Sequence, residues 1–275
     1  MSVNKQKLSV YVQSVGLAAP GMNSWTQGQA VLRGEQPYVS EELPRYAPTL
    51  LPPNERRRAT SVGRLAFQSA EEAIGSCDAD AEKLAAVFTS SGGDTDIVNL
   101  ICASLAKPER PVSPTHFHNS VHNAAAGYWS IATGSRLPST SLSAFDGSFS
   151  AGLMEAAVLC RSELQPVLLV AYDTVPTDPL FPKRPLTAPF SVALLLTPEP
   201  TANCLAGLAL DYADGLPEST LGDGAMETLR LGNPAARALP LLERLAKGEE
   251  ASLVLPAVEG IQVSVEISSP LKAVA

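Results

Sequence analysis

Residues 166–172 read PVLLVAY, an unbroken apolar run. A strand with one wet face alternates polar and apolar residues, whereas a run without alternation belongs to a strand covered on both faces. Helices that cross over a sheet supply that double cover, so the run commits the chain to α/β layers. The neighbouring segments agree. Residues 8–17 carry Val10, Val12 and Val15 and predict a strand. Residues 24–34 predict a helix, and 37–54, with five prolines, a surface loop. In 55–75, Val62, Leu65, Ala66, Ala70 and Ile74 recur at helical spacing and predict one amphipathic helix. Strands are expected at 85–90, 139–145, 166–172 and 190–196, and helices at 95–105, 124–133 and 147–160. Past Pro198 the pattern weakens to a strand at 206–212, a Gly-rich loop, a helix at 235–246, and strands at 252–255 and 261–267.

Composition narrows the function. The net charge of −8 and pI near 5.0 argue against nucleic acid or an anionic membrane as partner, since both need a basic face. The first residues, MSVNKQKLSVYVQSVG, lack the apolar run of a signal peptide. No window approaches the ~18 continuous apolar residues of a membrane span. Cys77, Cys102, Cys160 and Cys204 are scattered with no C-x-x-C pair, which fits reduced thiols packed as small apolar residues in a cytoplasmic protein.

The segment LPSTSLSAFDGSFSAGLMEAA, from Leu137, reads strand, tight turn, helix, with Asp146 at the turn. A side chain there faces unpaired helix N–H groups and the positive end of the helix dipole. A cysteine at such a point becomes a nucleophile, with the same amides available to an oxyanion. A carboxylate is a poor nucleophile, and the plainer reading of Asp146 is a cap accepting from the N–H of Ser148 or Phe149.

Four segments carry a resemblance in chain order. Ser143-Ala144-Phe145-Asp146-Gly147-Ser148, followed by Gly152, Glu155 and Ala156, resembles the nucleophile segment of β-ketoacyl synthases, with Asp146 at the cysteine position. AVFTSSGGD at 86–94 resembles the strand and Gly-rich turn before the family's insertion helix. PVSPTHFHNSVHNAAAG at 111–127 resembles its approach to the active-site strand, and PLTAPFSVALLL at 185–196 its segment after the nucleophile helix. The resemblance implies a thiolase-like α/β fold: the N-terminal half of a ketosynthase, a mostly parallel or mixed sheet under helices, and a truncated C-terminal part. One domain is expected over 1–275, with 1–200 ketosynthase-like and 201–275 reduced.

The departures from the family are as informative. His116, His118 and His122 all precede the turn, so its two later catalytic histidines have no counterpart, and no GFGG-like segment appears. Cysteine and bases are thus absent together, and no catalytic residue or cofactor is assigned. The resemblance implies a subunit without independent activity, like the chain-length factors that pair with an active ketosynthase and shape its acyl tunnel. It is most similar to the short subgroup tied to bacterial aryl polyene pathways, with fatty-acid-like chain elongation as the wider setting. The expected partner is a full-length ketosynthase, in a heterodimer or larger assembly, with an acyl carrier protein engaged indirectly.

In that reading 139–145 is the pairing strand. The interface and tunnel residues are Ser139, Ser141, Leu142, Ser143, Phe145, Asp146 and Phe149, with Asn119 and Asn123 nearby; for Leu142, Phe145 and Phe149 ordinary packing is the competing view. The three histidines lack the cysteine partners of a structural zinc site. With Asn119 and Asn123 they are expected to bond backbone in a loop, and no metal is assigned. Glu55-Arg56-Arg57-Arg58 is a solvated helix start, or a contact for an acidic carrier protein. The alternative function is an autonomous acyl-transfer enzyme or esterase using Asp146 or Ser150. Ser148-Phe149-Ser150-Ala151-Gly152 approaches the nucleophile-elbow pattern, but no histidine follows it.

Overall fold

The computed structural model describes residues 7–222, 224–258 and 260–269; the two ends of the expected 1–275 domain lie outside them. Eight strands form one sheet in the order β3-β2-β4-β5-β1-β6-β8-β7. They are β1 (Leu8–Ala18), β2 (Ala85–Thr89), β3 (Ser139–Leu142), β4 (Val167–Asp173), β5 (Phe190–Thr197), β6 (Ala206–Ala213), β7 (Ala251–Pro256) and β8 (Gln262–Ser268). The sheet is mixed. Its parallel part is confined to β3-β2-β4, and β4 onward pairs antiparallel. The helices are α1 (Trp25–Leu32), α2 (Pro53–Arg58), α3 (Ser61–Gly75), α4 (Thr95–Leu105), α5 (Pro114–Asn119), α6 (Ala124–Thr133), α7 (Ser148–Glu163), α8 (Ala225–Gly232) and α9 (Leu239–Lys247).

Alternate residues of the central strands feed two cores. Val167, Leu169 and Ala171 of β4 join Val192 and Leu194 of β5 in the core that also takes Phe149 and Leu153 of α7 and Leu241 and Leu242 of α9. Leu168, Val170 and Tyr172 point the other way, with Phe67 of α3 and Trp129 of α6. Every residue of β4 and β5 is buried, which is why neither run alternates. Phe67 and Phe88 flank Trp129, and Tyr172 meets Phe88, in one aromatic cluster; the Phe67–Trp129 pair meets edge to face at 5.4 Å.

Three sequence expectations are corrected. The single helix expected over 55–75 is two, α2 and α3. Ala59 and Thr60 are extended between them, and the Thr60 hydroxyl accepts from the N–H of Gly63 to start α3. The expected 235–246 helix begins as a 3-10 turn, Ala235–Ala238, and α9 follows with Pro240 in its first turn. The loop before it carries α8, which glycines at 222, 224 and 232 obscure. The prolines of 37–54 do form a loop, fastened by the buried Glu71 of α3. Its carboxylate accepts from Thr49 N at 2.9 Å, Thr49 Oγ1 at 2.7 Å and Leu50 N at 2.9 Å.

At the foot of α7, Gly147 lies against the turn after β7. A Cβ there would stand 1.9 Å from the Ala257 carbonyl oxygen. Backbone cannot yield as a flexible side chain does, so Gly147→Ala is expected to cost about 1–3 kcal/mol. That lowers Tm by several degrees in a thermal melt; an unchanged Tm would show that the two segments are not packed together.

Candidate functional site

The carboxyl ends of the parallel strands β2, β3 and β4 converge at one place, where open α/β sheets bind ligands. The residues there are Ser90 and Ser91 after β2, Ser143 to Asp146 after β3, and Asp173 closing β4. Asp173 is 2% exposed. Its Oδ1 accepts from Ser90 Oγ at 2.9 Å, Ser91 N at 2.8 Å and Ser91 Oγ at 2.9 Å. Its Oδ2 is buried with no hydrogen-bond partner. Burial pushes the acid up to about 6, against the hydrogen bonds from Ser91 and Ser90. The turn it holds is tied on two further sides. Ser143 Oγ donates to the Ser91 carbonyl at 3.1 Å, and His122 Nε2 lies 3.0 Å from the Ser90 carbonyl. Asp94 caps α4 through the N–H of Ile97, and burial raises its carboxyl as well.

Strand β3 stops at Leu142, three residues short of the expected end. Ala144 leaves the extended region and Phe145 is left-handed at φ +52°, so the chain turns through the 3-10 segment Phe145–Gly147 into α7. The Ser148 hydroxyl fastens this turn, donating to the Phe145 carbonyl at 2.7 Å and accepting from Ala144 N at 3.0 Å.

Asp146 does not cap α7. Gly147 holds the cap position without a side-chain bond, and the intervening 3-10 turn directs the carboxylate outward. It accepts instead from Arg184 Nη2 at 2.7 Å, and the Arg184 guanidinium lies 3.7 Å above the Phe145 ring. A cleft of about 630 Å³ adjoins the turn, lined by Phe145, Asp146, Glu218, Arg237, Ala257 and Ile261. Burial and the neighbouring Arg230 lower the pKa of Arg237, while Asp146 opposes the shift.

The other predicted residues disperse. Ser139 is exposed, Ser141 and Leu142 are half-buried, and Phe145 is 64% exposed. Phe149 is fully buried in the core. Ser150 is also fully buried, which keeps its hydroxyl from solvent. Asn119 Nδ2 donates to the carbonyls of Thr115 and Arg58, fixing α5 on the end of α2. Asn123 precedes α6 without a side-chain cap bond. The histidine segment is not all loop: Pro114 starts α5, which carries His116 and His118. His118 meets Tyr128 edge on, leaving the backbone role to His122 and Asn119. Among the described residues no group of three His, Cys, Asp or Glu could hold a metal ion, and no helix is long and apolar enough to cross a membrane. Cys102 is exposed on α4 rather than packed, because it falls on the outer face of that helix; Cys160 is buried, its thiol pushed up to about 12. Arg56 is committed to the Thr49 and Leu51 carbonyls, while Arg57 and Arg58 remain exposed.

Sequence reasoning passed over Asp173 and Arg184. For Asp173 the signal was available: a lone carboxylate ending an apolar run. Its folded pKa exceeds the ordinary Asp value near 4, so the folded state binds more protons between pH 4 and 6. Its contribution to stability is therefore full below pH 4 and lost as pH rises through 6. Asp173→Asn keeps an acceptor at Oδ1 and removes the titration. The stability of Asp173→Asn relative to the parent, followed by thermal melts, is expected to climb between pH 4 and 7 by roughly 2–3 kcal/mol. A difference flat with pH would rule out this origin.

The pattern described as "Beta-ketoacyl synthase, N-terminal domain" matches residues 25–227. No curated protein matches the chain. Among solved structures, it is similar to a chain of the ketosynthase (ApeO) in complex with its chain length factor (ApeC) from Xenorhabdus doucetiae. The identity is 26% and the TM-score 0.71, covering 94% of this chain and 100% of that one. The ishigamide ketosynthase/chain length factor gives 12% identity and a TM-score of 0.73, covering 95% of this chain and 99% of that one. A β-ketoacyl synthase from Burkholderia phymatum STM815 gives 12% and 0.66, covering 96% and 100%. These last two likenesses are of fold alone. The matched stretch spans most of the chain, from α1 into α8, and the chain belongs to the β-ketoacyl synthase N-terminal domain family.

Proposed function

We propose that this chain is a non-catalytic, chain-length-factor-like subunit that pairs with an active β-ketoacyl-acyl carrier protein synthase and helps form its acyl tunnel. The observation that carries the reading is the state of position 146. Where the family keeps a thiolate nucleophile, this chain has a carboxylate already engaged by Arg184 at 2.7 Å. An ion-paired carboxylate has little nucleophilic reach, and Ser150 is sealed in the core; neither favours an autonomous acyl-transfer enzyme.

The sheet edges support β3 as the pairing strand. At the β7 edge, Ser219 occupies Val254, its N–H on the Val254 carbonyl at 2.8 Å and its hydroxyl on the Val254 N–H at 3.0 Å. At the β3 edge, the described ladder runs to β2 on one side, and the strand carries small side chains. An open edge of that kind invites a partner strand. We place the partner contacts at Ser139, Ser141, Leu142, Ser143, Phe145 and Asp146. Phe145 is the large apolar side chain offered there. Similarity to a chain of the Xenorhabdus ketosynthase/chain length factor complex supports a ketosynthase as partner; aryl polyene synthesis is the setting we propose for the pair. The chain reads as one domain whose second part, from residue 201, adds three strands to the same sheet.

The test is co-expression with a ketosynthase that retains cysteine and both histidines. Co-purification and a raised yield of the ketosynthase are expected. Ser139→Arg, at an exposed position, is expected to reduce recovered complex about tenfold, the effect of ~1.4 kcal/mol. A stable monomer with no influence on any ketosynthase would sink the reading.

A further inference from the structure

Between β4 and β5 the chain leaves the sheet for residues 174–189. The two roots of this excursion are rigid. Asp173 and Phe190 are register partners. The fully buried Asn233 donates from Nδ2 to the carbonyls of Asp173 at 3.1 Å and Ala188 at 2.8 Å. Thr187 N donates to the Gly232 carbonyl at 2.9 Å. Pro176 and Leu186 are buried, and between them 177–185 is exposed except for the half-buried Leu180 and Arg184.

This middle part is tied to the body through side chains at its two ends. At one, Asp96 of α4 accepts from Thr177 Oγ1 at 2.8 Å and Thr177 N at 3.3 Å, and Asn99 donates to the Asp178 carbonyl at 3.0 Å. At the other, Arg184 pairs with Asp146 and covers the Phe145 ring. A segment closed by a few polar contacts on rigid roots sits at the low end of local stability.

We propose that 177–185 is a hinged strap latched at Asp146. Breaking the Arg184–Asp146 pair lets the strap swing off the carboxyl end of β3 and uncovers one face of Phe145 and the Asp146 carboxylate. Asp146 then acts on its own chain, whether or not a ketosynthase binds, so the inference stands or falls apart from the pairing reading. The two ends are independent: the Asp96 and Asn99 ties belong to α4, the latch to the turn after β3.

Hydrogen exchange read by mass spectrometry on the full chain tests this. The amides of Leu180, Phe181, Lys183 and Arg184 are bonded within the strap, in a turn too short to persist once unlatched. In Arg184→Ala and in Asp146→Ala they are expected to exchange roughly three- to tenfold faster, with β4 and β5 unchanged. Arg184→Lys keeps the charge, loses the planar stack, and should fall between. Asp96→Asn should loosen Thr177 and leave the latch end protected. Parental rates at these four amides in both alanine variants would overturn the proposal, as would faster exchange of β4 and β5 alongside them.

Discussion

The arrangement at the carboxyl ends of the parallel strands hangs from one buried carboxylate. A single oxygen of Asp173 takes three hydrogen bonds from Ser90 and Ser91 and so fixes the end of β2 beside the end of β4. The same turn receives the Ser143 hydroxyl on one carbonyl and faces His122 with the other. The placing of Phe145, Asp146 and the adjoining cleft follows from that turn. Burial in a low-dielectric interior is costly for the charged carboxylate, and the raised acid pKa is that cost, net of its hydrogen bonds, expressed as proton affinity.

Asp146 and Asp173 illustrate how environment divides two identical side chains. Asp173 is desolvated, faces hydroxyls and amides, and holds its proton into the weakly acidic range. Asp146 is half-exposed and meets a guanidinium. One organises backbone; the other receives a side chain from a distant segment. A cysteine at position 146 would lack the carboxylate oxygen that Arg184 engages at 2.7 Å, so the two residues read as a matched set.

Much of this was legible in the sequence, for identifiable reasons. The doubly buried strands announce themselves because burial on both faces removes alternation, as in β4 and β5. Helices α4 and α6 match their predicted bounds, since Asp94 and Gly134 mark an end of each. The break between α2 and α3 was hidden because the polar run before Ala59 has no apolar spacing to show where one helix stops, and Thr60 acts as a cap only because its backbone is extended. At the site, composition identified the turn but not its chemistry. The partner of Asp146 lies 38 residues along the chain, in a proline-rich stretch with no periodicity to place it. Long-range polar pairs leave no local pattern, so the cap was the reading available and the ion pair emerged with the fold.

Phe145 stands at φ +52°, a conformation that glycine adopts freely and that costs a residue with a Cβ roughly 1–2 kcal/mol. Glycine would suit this turn better, and the Ser148 hydroxyl that braces it bonds backbone, which any residue supplies. The ring adds little to the interior, since 64% of the residue faces outward. The chain thus carries a conformational debt at this position for the sake of an aromatic surface, half shielded by Arg184. What the position contributes is the ring's outer face, held at a fixed angle by a backbone that would be more relaxed without it.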